Sequence, residues 1–413
     1  MCVKGARGDG VHSSGMRPSP RQPESVFRLT DAGEPFRLLF PLGSILGLIG
    51  VALWPAFAWG GWPVYPAAAH AAIMIHGFLA TFVFGFLGTA FPRLLDVRRF
   101  GLRTTLILGA GPVLLTLAHL AEAHLLGLAV FFVWLTGFLG LLGSRFRESR
   151  DLPPPGFVLV AVGMASAWFG TLLLIIDGAG APLAPWAYAF ARLLAWQGFL
   201  LFPILGIGAF LLPRFFGMPS KQAFPELSTP SRAWMRRAAF AGACGAGILG
   251  GFLLEALGQS LAGNLLRAVA VTVYVLREIP LHRTTGAGGD LALGLRVALL
   301  ALPLAFVAVG LLPFAHLALL HILYMTGFGL ITFIVASRVL FGHSGQSARF
   351  TENLPFVKVL VGLTVLALAV RIGADFLTAG RFAAYAWAGL IWMGGVLVWA
   401  FAALPRVRFP DDE

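Results

Sequence analysis

Twelve apolar runs, each separated from the next by a short turn or a basic loop, limit this chain more than any other feature of its sequence. At a helical rise of ~1.5 Å per residue, about 20 residues cross a bilayer core of ~30 Å. The runs fall at roughly 38–60, 66–91, 102–121, 124–143, 156–177, 187–212, 236–257, 261–276, 291–312, 315–340, 355–378 and 383–404, each close to what a membrane-spanning helix requires. The expected fold is therefore an all-α polytopic membrane protein of about twelve helices. A composition of 58% hydrophobic and only 12% charged residues excludes an ordinary soluble domain.

Basic residues orient the bundle. With a cytoplasmic amino terminus, every Lys and Arg falls in a cytoplasmic segment except Arg371 and Arg381, in an outside loop, and Arg192 and Arg267, within spans. Both termini are thus expected in the cytoplasm. The net charge of +12 is spread over several short loops, which argues against a nucleic-acid partner and for the lipid bilayer. Residues 1–34 are polar, basic and without an apolar core, so they read as a disordered cytoplasmic tail preceding the transmembrane domain at 35–405 and a short cytoplasmic tail at 406–413. The cysteines, Cys2 and Cys244, imply neither a disulfide framework nor a cysteine-ligated cluster.

Histidines concentrate at one depth. His70 and His76 lie in the outer half of the second span, His316 and His321 in that of the tenth, and His119 and His124 where the third span ends and the fourth begins. An ionisable side chain within an apolar span is costly and marks a functional candidate, and neutral imidazole is a common ligand of metals and of haem iron. The plain alternative for His70 and His321 is packing between helices against a carbonyl or hydroxyl. His70 and His76 are six residues apart, about 120° around a helix, so one mononuclear centre would not readily use both. His119, His124 and His316 read most simply as interfacial. Arg338 reads as the cytoplasmic anchor of the tenth span, and Gly342 and Gly345 as a tight turn around His343.

The chain also repeats itself. His76–Arg93 aligns without gaps to Gln197–Arg214, with identities at Gly77/Gly198, Phe78/Phe199, Leu79/Leu200, Gly85/Gly206, Pro92/Pro213 and Arg93/Arg214. A fainter copy, Met325-Thr326-Gly327-Phe328, echoes Ile75-His76-Gly77-Phe78. The second, sixth and tenth spans would then be equivalent members of three four-helix units. No phosphate-cradling loop, nucleophile elbow or His-Glu-x-x-His helix is present. Few carboxylates lie within the spans, which weakens a proton-coupled transporter; a small-molecule or metal transporter with a histidine-lined path is the rival reading.

His321, Arg338 seventeen residues later and the turn Gly342-His343-Ser344-Gly345 resemble the NnrS family of bacterial inner-membrane proteins. Glu34-Pro35-Phe36-Arg37-Leu38-Leu39-Phe40 is similar to the family's opening, Gly85-Phe86-Leu87-Gly88-Thr89-Ala90-Phe91-Pro92 to the end of its second helix, and Pro213-Arg214-Phe215-Phe216 to its sixth. The family's second helix commonly carries His-x-His-Glu-Met. Here His70 and Met74 remain, Ala72 and Ile73 replace the second His and the Glu, and His76 is added. The resemblance implies a metal-binding membrane protein that holds haem b, and copper as a further candidate, and that is linked to nitric oxide, nitrosative stress and denitrification; it implies no particular reaction. A nitric oxide or other small gas ligand and a redox donor are the expected partners. The arrangement also resembles haem-copper oxidase catalytic subunits, but the chain lacks their binuclear histidine set. On this reading His70 and His321 ligate the cofactor or metal, with His76 as the alternative from the second span.

Overall fold

The computed structural model describes residues 22–224, 229–279, 281–282 and 288–411. It contains twelve helices long and apolar enough to span a membrane: α1 Phe36–Ala58, α2 Ala67–Leu94, α3 Leu102–Leu120, α4 His124–Glu148, α5 Phe157–Gly178, α6 Pro185–Phe216, α7 Arg232–Ala256, α8 Ser260–Glu278, α9 Asp290–Leu311, α10 Pro313–Gly342, α11 Pro355–Ala374 and α12 Arg381–Arg408. The chain is an all-α polytopic membrane protein.

Packing repeats every four helices. Pairs α1/α2, α5/α6 and α9/α10 pack closely; so do α3/α4, α7/α8 and α11/α12; and α4/α5, α8/α9 and α12/α1 join one unit to the next and close the ring. Helices α2 and α6 are the most buried, with 78% and 72% of their most apolar windows buried; α10 and α1 follow at 61%, against 33% for α4 and α7 and 28% for α11. Helices α2, α6 and α10 each carry a π-helical stretch, at Ile73–Leu79, Leu194–Gly198 and Ile322–Gly329. In the register of the sequence repeat these stretches begin within one residue of one another. A π turn inserts an extra residue, which widens the helix and re-aims its side chains, and such turns are frequent at functional sites. The repeat is thus carried by backbone geometry as well as by residues.

Two ends of the bundle can be told apart by content. The histidine end holds His70, His119, His124, His316 and His321; the arginine-rich end holds Arg93, Arg145, Arg214, Arg338 and Arg406. Between α2, α6 and α10 in the arginine-rich half lies a small apolar cavity of about 80 Å³, whose one hydroxyl, Thr332, already donates to the Phe328 carbonyl at 2.8 Å.

The expectation of a disordered tail at 1–34 is corrected for its second half. Residues 1–21, with Cys2, lie outside the described residues, but Val26–Asp31 is helical and Glu34 is buried. Two contacts hold the segment: Asp31 Oδ1 accepts from the Leu102 amide at 2.9 Å, and the Glu34 carboxylate pairs with Arg37 and Arg93. The tail at 406–413 is likewise pinned as far as it is described. Arg37 donates to the carbonyls of Val407 at 2.8 Å and Phe409 at 2.7 Å.

Candidate functional site

At the histidine end a cavity of about 520 Å³ opens between α1, α2, α6, α7, α10, α11 and α12. His70 and His321, from different repeat units, both line it. His70 lies on α2 just before the π turn, and its Nδ1 is 2.9 Å from the Gly50 carbonyl of α1. Gly50 lets the helices approach closely: a Cβ there would sit 2.9 Å from Ile73 and 3.0 Å from the Met74 sulfur. His321 lies on α10 immediately before the π turn of that helix, with Nδ1 2.8 Å from the Leu317 carbonyl one turn earlier. A carbonyl can only accept, so in each neutral ring Nδ1 carries the proton and Nε2 keeps its lone pair. This is the state in which imidazole ligates a metal, with the second nitrogen held by a backbone acceptor.

The opposite wall of the cavity is polar. Arg192, Gln197, Glu255, His316 and Tyr324 line it. Behind them Arg267, fully buried within α8, pairs with Glu255, donates to Gln197 Oε1 at 3.0 Å and stacks on Phe252 and Phe306 at 5.1 and 4.8 Å. The hairpin that presents this pair depends on two glycines: a Cβ on Gly251 would lie 2.6 Å from the Gly263 carbonyl. The sequence shows Arg267 within a span but gives no signal that Glu255 is its partner. A lone arginine in mid-span demands a carboxylate nearby, and Glu255 lies just across the hairpin.

His76 is placed elsewhere. It is fully buried, stacks on Phe131 of α4 with ring centroids 3.9 Å apart, and does not line the cavity. His119, expected at the interface, is only 2% exposed. The positions of the missing family residues, Ala72 and Ile73, are buried, and Ile73 packs with Leu53, Ala69, Trp62 and Leu120.

The motif around His343 lies at the other end of the bundle, and its partner is the opening motif. His343 Nδ1 is 2.5 Å from Glu34 Oε1 and 3.5 Å from Asp411 Oδ2, while Arg93 donates to Glu34 at 2.7 Å. In the repeat register His343 and Arg93 occupy the same position, so two repeat copies grip one carboxylate. Arg338 is sandwiched between Phe215 and Phe350, at 4.5 and 4.1 Å. Gly345 adopts φ +66°, the left-handed turn conformation that favours glycine, and Gly342 ends α10. Glu34, His343 and Asp411 have the reach to hold a cation, but the guanidiniums of Arg37 and Arg93 already neutralise the carboxylate. The group is a latch that ties the opening segment and the tail to α10.

Burial raises the Glu34 carboxyl, but its hydrogen bond and charge contact with His343 and its pairing with Arg37 outweigh that and hold it below its ordinary value of 4.5. A depressed carboxyl contributes stability that is full above 4.5 and is lost as pH falls through the lower native value. The unfolding midpoint in detergent is therefore expected to drop as the pH is taken below about 4.5, and Glu34→Gln is expected to flatten that drop. An equal acid slope in the variant would refute the role of Glu34.

Residues 32–409 match the family model described as NnrS protein. The chain belongs to the NnrS family. Among curated proteins none matches it. The match begins two residues before Glu34 and ends at Phe409, so it takes in both sides of the NnrS latch and the whole histidine cavity.

Proposed function

We propose that this NnrS protein holds a b-type haem between α2 and α10, ligated by His70 and His321, and acts in nitric oxide metabolism or in resistance to nitrosative stress. One observation carries the reading: two imidazoles from different repeat units face one cavity, each with Nδ1 tied to a backbone carbonyl and Nε2 left as the ligand atom. The remaining walls suit a flat, largely apolar macrocycle with an anionic edge. Trp54, Phe78, Trp196 and Trp392 line the cavity, and so do the guanidiniums of Arg192 and Arg371. Arg192 lies over the Trp196 ring at 5.4 Å, where it would meet a propionate.

A bound haem would supply one-electron redox chemistry or a coordination position for a small gas. The protein's part is to fix the two imidazole tautomers and to exclude water from the apolar side. Ligation by both His70 and His321 would favour electron transfer, whereas ligation by one alone would leave a position for nitric oxide. Copper is the alternative ion for the same nitrogens. By the distribution of basic residues, the arginine-rich end and both termini face the cytoplasm of a bacterial inner membrane, and a redox donor would approach from the opposite side. The transporter reading is less well supported, because the inner half of the same axis is apolar and offers no ligand to an ion.

The test is an optical spectrum of protein purified from membranes of haem-replete cells. A Soret band is expected, and His321→Ala or His70→Ala should lose most of it. A protein that stays colourless, with haem supplied throughout expression, would sink the reading.

A further inference from the structure

Arg338 is the motif residue that the latch does not use. Its guanidinium is clamped between Phe215 of α6 and Phe350, just beyond α10. Aromatic rings favour the cation, but they give its five N–H donors no oxygen, and the natural partner of that fork is a carboxylate or a phosphate. Among the described residues none accepts a hydrogen bond from Arg338. The charge that acts on it is a second guanidinium, that of Arg214 at the end of α6.

Arg214 is unmatched in the same way. It stacks on Phe210 at 4.6 Å and pairs with no carboxylate among the described residues. In the repeat register Arg93, Arg214 and His343 hold one position on α2, α6 and α10. Arg93 and His343 share Glu34, whereas Arg214 has Arg338 for a neighbour and no acid. Carboxylates close by in the chain are committed elsewhere, Glu352 to Arg349 at 3.3 Å and Asp290 to Lys358 at 3.5 Å. Two like charges held together, one of them half-buried, repel unless an anion joins them. The pair also stands over the small apolar cavity between α2, α6 and α10. Leu211 and Val335 line that cavity, and Arg214 and Arg338 follow them at i+3, on the same helix faces and one turn nearer the arginine-rich end.

We infer that Arg214 and Arg338 form a binding site for one phosphate group, which bridges α6 and α10 at the arginine-rich mouth of the axial cavity. Guanidiniums pair with phosphate through parallel N–H bonds, and a phosphate has oxygens enough to serve both forks. Phe215 and Phe350 hold the Arg338 fork in one plane, so little freedom is lost when it binds. The phosphate is either a free anion or the head of a lipid, and basic pockets between helices at a cytoplasmic membrane face are known to take acidic head groups. A lipid would lay an acyl chain in the apolar cavity beneath. The site is independent of the haem reading, since it lies at the opposite end of the bundle from His70 and His321.

The experiment uses the whole protein in detergent, washed free of phosphate and lipid, and reads affinity from the rise in unfolding midpoint with ligand. Inorganic phosphate is titrated at constant ionic strength made up with chloride, and phosphatidylglycerol is titrated separately. Wild type is expected to be stabilised by at least one of the two probes, and Arg214→Gln and Arg338→Gln are each expected to weaken that probe by roughly tenfold or more, the weight of a hydrogen bond to a charged group. Arg103→Gln, exposed at the same end of the bundle, should leave the affinity unchanged. Val335→Phe, which fills the cavity, separates the sources: it should weaken a bound lipid and spare a free phosphate. No stabilisation by either probe, or equal affinity in wild type and Arg214→Gln, would overturn the site. Because Arg214 is exposed, that comparison holds even if Arg338→Gln fails to fold.

Discussion

Arg37→Met is expected to lower the stability of the protein by about 3–5 kcal/mol, the cost of removing one partner from a buried ion pair. Arg37 has no exposed surface, and a carboxylate and several carbonyls depend on it. Its Nε pairs with Glu34; one terminal nitrogen donates to the carbonyls of Val407 and Phe409, and the other to the His343 carbonyl at 2.8 Å. Methionine fills the volume but strands a carboxylate whose side chain is 5% exposed and leaves the carbonyls unpaired. Arg93 and His343 remain on Glu34, which moves the expected cost toward the lower end. The loss should be seen as a reduced unfolding midpoint and as new protease cleavage after Leu404, because the tail is held through its carbonyls. Arg28→Ala is the control: its side chain is 80% exposed beside Glu24 at 3.5 Å, and such a pair contributes little. An unaltered midpoint and an uncut tail in Arg37→Met would show that the latch is incidental.

That latch marks where sequence reading stops. Hydropathy and charge placed twelve spans to within a few residues because both are local properties that the bilayer selects. Identities between His76–Arg93 and Gln197–Arg214 revealed the fourfold spacing of equivalent helices, for the same reason. Glu34 and His343 were each noticed inside a motif, yet they are 309 residues apart, and no periodicity announces a contact made by closing a ring of helices. The π turns were equally hidden, since no residue type encodes an i→i+5 bond. His76 illustrates the mixture. Spacing alone argued against its sharing one mononuclear centre with His70, but its stacking on Phe131 had no signal in the sequence. His119 looked interfacial because it ends a span; it is buried because Gly127 leaves room for its ring.

Arg267→Met should be as damaging as Arg37→Met, by about 3–5 kcal/mol, and here the damage should be partly reversible. Arg267 is 1% exposed and Glu255 14% by side chain. Without the guanidinium, Glu255 keeps the Asn264 amide, 3.1 Å away, and Gln197 loses its donor from α8. Arg192 and His316, on the same cavity wall, still meet part of the Glu255 charge, which moves the expected cost toward the lower end. Replacing both members with apolar residues, as in Arg267→Met with Glu255→Leu, removes the stranded charge together with the cost of desolvating the pair. The double variant is therefore expected to be more stable than Arg267→Met alone, by about 1–3 kcal/mol of coupling. A double-mutant cycle on unfolding midpoints measures that coupling, and strict additivity would mean that the pair does not act as a unit. Even with stability recovered, the double variant should not restore the cavity: Glu255 and Gln197 form part of its polar wall, and Arg267 donates to Gln197 on the side opposite His70 and His321. Recovery of stability without recovery of ligand binding would separate the two roles of the pair. Holding the hairpin requires only that the charges be matched, whereas shaping the wall requires these particular side chains.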